Sequence, residues 1–440
     1  MISRGTKIGY GFGQLGITAF EVFIRIQLLI FYTDVVGLSP KLAGLALGLA
    51  VFWDAITDPL MGWISDRTPQ SWGRRRVFFI PGALGAAVFL VALLSPPLSL
   101  SETQKFFYLL VTYLGLNTFS TVFAIPHGAL AAEMTRDQRE RLEIYGWRLA
   151  LGNLGAILAA TLPIISIALW NQVNFQILGA ILGGAVFVSA LLSFVSTRQL
   201  RTRPVAQSTS AFSLRVVLDN KPFLGLLSCY LICTIGVAIN SVFALYYYKY
   251  RLNFSEAQTQ TIIAVFIVVF TLSIPLWVLA SRFFSKKSAV VLGVSLLGIS
   301  GSIVYPLFAP GSLSGPLIYG VFAGVLIASI VLLDALLADV IDYDELKSKQ
   351  QRAGIYFGIW KLAEKSTRAL AIFLSGSLLT AIGFIPNEQQ LPEVSQRMAW
   401  IFGPGVNVFF LMGAAIAVKM RYSDSKHQQV LRLLNQKKRA

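Results

Sequence analysis

Hydrophobic residues in this chain fall into long blocks, not into the short alternating stripes of a soluble domain. Twelve blocks stand out, at about residues 8–32, 40–64, 77–97, 105–132, 143–168, 174–196, 222–247, 257–280, 288–308, 315–338, 354–382 and 397–418. Each is near or above the ~20 residues a helix needs to cross hydrocarbon. The longest polar connection, residues 197–221, divides them six and six. The pattern predicts an all-α membrane fold of twelve transmembrane helices in two six-helix bundles (1–196 and 222–418), a central cytoplasmic loop (197–221) and a basic tail (419–440).

The halves read as repeats. Ala129-Leu130-Ala131-Ala132-Glu133 ends block four, and Ala335-Leu336-Leu337-Ala338-Asp339 ends block ten. A charged loop follows each, then Trp147-Arg148-Leu149-Ala150 and Trp360-Lys361-Leu362-Ala363. Ser65-Asp66-Arg67 with Gly73-Arg74-Arg75-Arg76 is echoed by Ser281-Arg282 with Lys286-Lys287. Duplicated six-helix halves are a common transporter plan, with substrate near the midplane.

Composition narrows the class. Of 440 residues 55% are hydrophobic and 13% charged, against about 25% charged in soluble domains. The formal net charge is +16, yet its distribution argues against nucleic acid. With the N-terminus inside, 27 of the 37 Lys and Arg fall on cytoplasmic segments, so both termini are expected in the cytoplasm, facing anionic lipid. Cys229 and Cys233 make neither a disulfide framework nor a metal site. No cleavable signal is apparent. The histidines are His127 and His427, and no Ser-His-Asp set or phosphate loop accompanies them, so an enzyme is not expected.

Charge inside the apolar blocks carries the functional reading. Asp54 and Asp58 lie one helical turn apart in block two. A carboxylate in hydrocarbon costs at least about 2.5–3.5 kcal/mol, and two adjacent ones repel. A bound cation, a proton or a basic partner must compensate. Pro59 cannot donate to the Ala55 carbonyl, which leaves an oxygen suited to a small cation. Elsewhere Glu21 and Arg25, and Glu364 and Arg368, stand at pairing distance along a helix. Arg148, Lys361 and Lys365 remain as bases for the two acids or for substrate. The repeat places Arg148 and Lys361 at equivalent positions, where they would grip an anionic or strongly hydrogen-bonding headgroup. The plainer alternatives are a helix-to-helix salt bridge for the acids, a self-satisfied pair for Glu21 and Arg25, and snorkelling for Lys361 and Arg368. His127 is read as a packing residue sooner than a proton relay. The Gly44/Gly48 and Gly179/Gly183 spacings are read as close helix packing. The segment from Gln428 to Arg439 is either a surface helix or a solvated basic tail.

Tyr10-Gly11-Phe12-Gly13, Phe31-Tyr32-Thr33-Asp34-Val35-Val36-Gly37-Leu38, Trp53-Asp54-Ala55-Ile56-Thr57-Asp58-Pro59 with Met61-Gly62, Ile125-Pro126, Arg139-Glu140, Asp342-Tyr343 and Gly383-Phe384-Ile385-Pro386-Asn387 together resemble the glycoside–pentoside–hexuronide:cation symporters of the major facilitator superfamily. The resemblance runs along nearly the whole chain. It implies an alternating-access symporter driven by Na⁺, Li⁺ or H⁺, with no other cofactor, in a bacterial inner membrane and acting as a monomer among lipids. It implies a cation site at Asp54 and Asp58 (the metal ligands if the ion is Na⁺ or Li⁺) with Thr121. Thr57 stands where sodium-coupled members often carry Asn. Arg148 and Lys365 match the family's bases in spans five and eleven. Asp66, Arg67, Arg74 and Arg75 match the superfamily's conformational latch. The residues that bind sugar in melibiose-carrying members are replaced here: Thr18 and Ala124 stand for acids, Gly128 for a stacking tryptophan. Glu21 is a candidate substitute acid, Arg25 its neighbour, and Trp360 and Lys361 replace uncharged polar residues. The expected substrate is therefore a sugar, glycoside or sugar acid. The alternative is a lysophospholipid or other anionic amphiphile, because a relative in animals carries lysophosphatidylcholine. A transporter-derived receptor or a polytopic lipid enzyme are the readings from other classes.

Overall fold

The computed structural model describes residues 2–69, 73–97, 99–135, 137–198, 219–281, 283–348 and 353–420. Most of the central loop and nearly all of the basic tail lie outside the described residues. The rods, in chain order, are α1 (Arg4–Val35), α2 (Pro40–Arg67), α3 (Arg74–Leu93), α4 (Glu102–Met134), α5 (Gln138–Trp170), α6 (Phe175–Thr197), α7 (Lys221–Arg251), α8 (Glu256–Ala280), α9 (Lys286–Leu307), α10 (Ser314–Ser348), α11 (Ala353–Ala381) and α12 (Pro392–Lys419). Among the described residues every regular element is helical. Among the described residues eleven rods are long and apolar enough to cross a membrane. The remaining rod, α11, has 29 residues but is interrupted by Lys361, Glu364, Lys365 and Arg368. Side chains such as Leu84, Val88, Val188 and Val195 are exposed, as befits helices whose solvent is lipid.

Local chemistry sets the starts of the helices. The side chains of Ser3, Ser101, Asp137, Asn174, Asn220 and Ser285 each accept an N–H from the first turn that follows, satisfying donors the helix itself cannot. The repeat is visible in the backbone. α1 and α7 both end in a widened π turn, Phe31–Val35 and Tyr247–Arg251. The same hydrogen bonds close both: Val36 N–H to Phe31 O (3.1 Å) and Leu38 N–H to Tyr32 O (2.9 Å) in one half; Leu252 N–H to Tyr247 O (3.1 Å) and Phe254 N–H to Tyr248 O (3.1 Å) in the other. Gly37 and Asn253, which follow these turns, both have positive φ, of 73° and 54°.

The chain separates into two compact units. One holds residues 1–206 with 255–264 and 369–389; the other holds 207–254, 265–368 and 390–440. In the first, α1 packs on α5 and α6, α3 on α4 and α6, and α2 on α4. The two Gly-xxx-Gly spacings behave as read. Gly44 lies against Gly376 and the Ile372 carbonyl, and Gly48 against the Ala369 carbonyl and Phe373. Gly179 and Gly183 lie against Leu90, Leu94 and Ala87. In the second unit α12 packs on α7 and α9.

Each half also ties a base at the start of its third rod to an acid toward the end of its fourth. Arg75 donates from Nε to Glu133 Oε1 at 3.0 Å, from NH1 to Ser65 Oγ at 2.6 Å, and pairs with Asp66. Arg74 stands 3.7 Å from Glu133. Lys286 Nζ donates to both oxygens of Asp339 at 2.7 Å. The Glu133 side chain is 2% exposed, so its charge depends on these donors. Glu133→Gln is expected to cost about 3 kcal/mol or more, measured as a lower denaturation midpoint of detergent-purified protein; an unchanged midpoint contradicts the assignment. A Cβ at Gly376 would strike the Pro40 carbonyl and the Gly44 backbone. Gly376→Leu should therefore destabilise by about 1–3 kcal/mol, whereas the same change at Gly146, which has open space around it, should not.

Candidate functional site

α2 and α4 are joined by three polar rungs. Asn117 Nδ2 donates to the Ala50 carbonyl at 2.7 Å, Trp53 Nε1 to Thr118 Oγ1 at 3.0 Å, and Thr121 Oγ1 to Asp58 Oδ1 at 2.8 Å. They fix the face of α2 that carries the acids. Asp54 is buried, 6% exposed, and Asp58 is half-buried one turn on. Thr57 is buried and turns its hydroxyl to the Trp53 carbonyl at 3.4 Å. Pro59 sits inside the unbroken helix and removes the N–H that would otherwise hold the Ala55 carbonyl. Asp54, Asp58, Thr57, Thr121 and the Ala55 carbonyl offer oxygen donors alone, the donor type that hard cations take. No group of three or more His, Cys, Asp or Glu with metal-site geometry occurs among the described residues.

Arg148 on α5 has a partner that sequence reading missed. Its Nε donates to Gln14 Oε1 at 2.8 Å, and Gln14 Nε2 donates to Thr18 Oγ1 at 3.0 Å. The guanidinium lies against Gly128 of α4. The missing side chain at Gly128 therefore leaves the space into which Arg148 reaches. Glu21 and Arg25 are both exposed on α1, a turn apart. His127 is fully buried, stacks on Tyr10 at 4.4 Å and shares a 2.9 Å contact through Nε2 with the Tyr10 carbonyl. That geometry is a packing one.

The second unit carries its own polar group. Trp360 on α11 is 1% exposed, stacks on Tyr230 of α7 at 3.8 Å, and donates from Nε1 to Asp334 Oδ1 of α10 at 2.8 Å. Asp334 is absent from the sequence reading, although its signal was plain: one acid in the apolar run Ile330-Val331-Leu332-Leu333-Asp334-Ala335. Lys361 is 69% exposed and donates to Glu364 Oε2 at 2.6 Å. The sequence offered Arg368 as the partner of Glu364; the structure adds Lys361, three residues back on the same helix. Lys365 and Arg368 are half-buried on α11. In the segment expected to act as a latch, Asp66, Arg74 and Arg75 join Ser65 and Glu133 as described, whereas Arg67 lies over the Trp63 ring at 4.0 Å. Ser65 and Glu133 are the members of that cluster not singled out as functional from the sequence.

Apolar spanning rods with polar groups buried on their facing surfaces define an integral, multi-pass membrane protein, and comparison with known proteins makes it a transporter, not an enzyme. The chain belongs to the family described as MFS/sugar transport protein, whose profile matches residues 9–424. It is 28% identical to the uncharacterized symporter YnaJ of Bacillus subtilis (strain 168), over 97% of this chain and 93% of that protein. It is 26% identical to the glucuronide carrier protein homolog of Escherichia coli (strain K12), over 100% of this chain and 97% of the relative. Among solved structures, a bacterial homologue of the human lysosomal transporter Spinster superposes with a TM-score of 0.71 over 98% of this chain and 97% of that one, at 15% identity; this likeness shows the major facilitator fold alone.

The Thr121–Asp58 bond makes a direct prediction. Whichever of Na⁺, Li⁺ or acid pH raises the melting temperature of the purified protein, Asp58→Asn should abolish that rise and Thr121→Val should reduce it, each with the cation-free melting temperature kept within a few degrees. An unchanged rise in Asp58→Asn would move the cation elsewhere.

Proposed function

We propose that the protein is a cation-coupled symporter of a sugar, glycoside or sugar acid, working by alternating access. In this reading all twelve rods cross a bacterial inner membrane, both termini are cytoplasmic, and the protein acts as a monomer with no cofactor beyond the coupling ion. What supports it most is the pair Asp54 and Asp58, one turn apart on α2 where carboxylates are costly, with Thr121 of α4 donating to Asp58 Oδ1 at 2.8 Å. A carboxylate pair that can hold a cation or a proton is a means of tying ion movement to solute movement. The relatives named as a symporter and a glucuronide carrier homolog support the substrate class. Thr57 keeps the ion open between Na⁺, Li⁺ and H⁺. It offers a hydroxyl oxygen in place of an amide carbonyl, and that hydroxyl is turned to its own helix.

For the substrate we assign Arg148 with Thr18, Glu21 and Arg25 in one half, and Lys361 and Lys365 in the other, with Trp360 positioning its neighbours. Asp66, Arg67, Arg74 and Arg75 serve as the latch. Arg148 reaching over Gly128 favours an anion, so a sugar acid leads. The same feature supports a second reading, an anionic amphiphile such as a lysophospholipid. Accumulation separates both from a receptor, which binds without concentrating its ligand.

A thermal-shift panel tests this. Methyl β-D-glucuronide, with one of Na⁺, Li⁺ or low pH, is expected to stabilise the purified protein. Stabilisation by lysophosphatidylcholine alone selects the second reading, and stabilisation by neither class contradicts the substrate assignment. Arg148→Gln and Lys361→Gln should each abolish uptake at unchanged protein level; normal transport by Lys361→Gln would remove it from the site.

A further inference from the structure

We infer that Asp334 is a substrate-binding residue, a carboxylate that reads hydroxyl groups of the transported solute, and that Trp360 positions it. The inference rests on the transport reading above and assigns a residue to which that reading gives no role. Asp334 is the sole charged side chain between Ser314 and Ala338. It lies in a rod long and apolar enough to cross the membrane, yet it is exposed. Ionisable side chains in spanning helices face protein or a water-filled space, because lipid cannot solvate them. An exposed one therefore faces water.

Its geometry is fixed. The indole of Trp360 is buried and stacked on Tyr230, so its N–H has one direction, and it donates to Oδ1. That bond holds the carboxylate plane and leaves Oδ2 without a hydrogen bond among the described residues. Lys361 and Glu364 are its charged neighbours, paired with each other at 2.6 Å. Asp334 is not part of a cluster of three or more His, Cys, Asp or Glu among the described residues. What it offers is a strong, oriented acceptor beside an ammonium donor. That combination fits the adjacent hydroxyls of a polyol or sugar ring, since charge-assisted bonds to a carboxylate are the stronger ones. Trp360 itself has no free face to give the solute. Its contribution is the angle of the carboxylate.

The test is isothermal titration of purified full-length protein with methyl β-D-glucuronide and methyl β-D-xyloside, followed by the 2-, 3- and 4-deoxy forms of whichever binds. Asp334→Asn is expected to weaken binding by about tenfold or more, and Trp360→Phe, which keeps the ring and loses the N–H, by a smaller factor. One deoxy form should bind wild type and Asp334→Asn equally, because it lacks the hydroxyl that Asp334 reads; a structural role would weaken all forms alike. The cation-induced rise in melting temperature should survive in both variants, which also serves as the fold control. Wild-type binding with Asp334→Asn unaffected, a uniform loss across the deoxy series, or loss of the cation response overturns this assignment and leaves the transport reading standing. Wild type binding neither glycoside contradicts the transport reading's substrate class, and this assignment falls with it.

Discussion

Charge cannot stand alone in an apolar helix bundle, and much of this structure follows from how each charge is answered. Asp58 has the hydroxyl of Thr121 at 2.8 Å. Glu133, all but inaccessible, has Arg75 and Arg74. Asp339 has Lys286, Asp334 has the indole of Trp360, and Glu364 has Lys361. These answers differ in kind. Glu133 and Asp339 meet full opposite charges, which neutralise them and fasten helix ends. Asp58 accepts from a threonine hydroxyl and Asp334 from an indole N–H, bonds that orient a carboxylate.

The duplication shows how one plan came to serve two ends. The π turns after α1 and α7, and the base-to-acid ties between third and fourth rods, are kept in both halves. The positions one residue before the shared Ala-Leu motifs have diverged. Gly128 admits the guanidinium of Arg148, while Asp334 in the second half receives the indole of Trp360. Backbone geometry is retained where helices must turn and lock, while the side chains at this matched pair of positions differ.

Long apolar blocks, the repeat and the carboxylate pair were legible in the sequence because each is a local signal: hydrophobic length, a recurring string, two acids one turn apart. Thr121 beside Asp58 came from the resemblance and agrees with the geometry. What stayed hidden depends on which faces meet. Gln14 is an ordinary polar residue until α1 lies on α5 and its amide reaches Arg148. Lys361 looked available to acids on other helices, but its nearest answer lay three residues along its own. Trp360 was a candidate substrate residue by position; packing on Tyr230 buries it. Asp334 was visible as a lone acid in an apolar run, and only its indole partner and its exposure distinguish it from a structural charge.

The central claim is that ion binding at Asp54 and Asp58 drives solute accumulation, and proteoliposomes measure this directly. Wild-type protein with an inward gradient of Na⁺, Li⁺ or H⁺ should concentrate labelled methyl β-D-glucuronide above its external level, with the excess lost when an ionophore collapses the gradient. Asp58→Asn should give equilibration at most. Accumulation that ignores every gradient, or that persists in Asp58→Asn, would contradict the account.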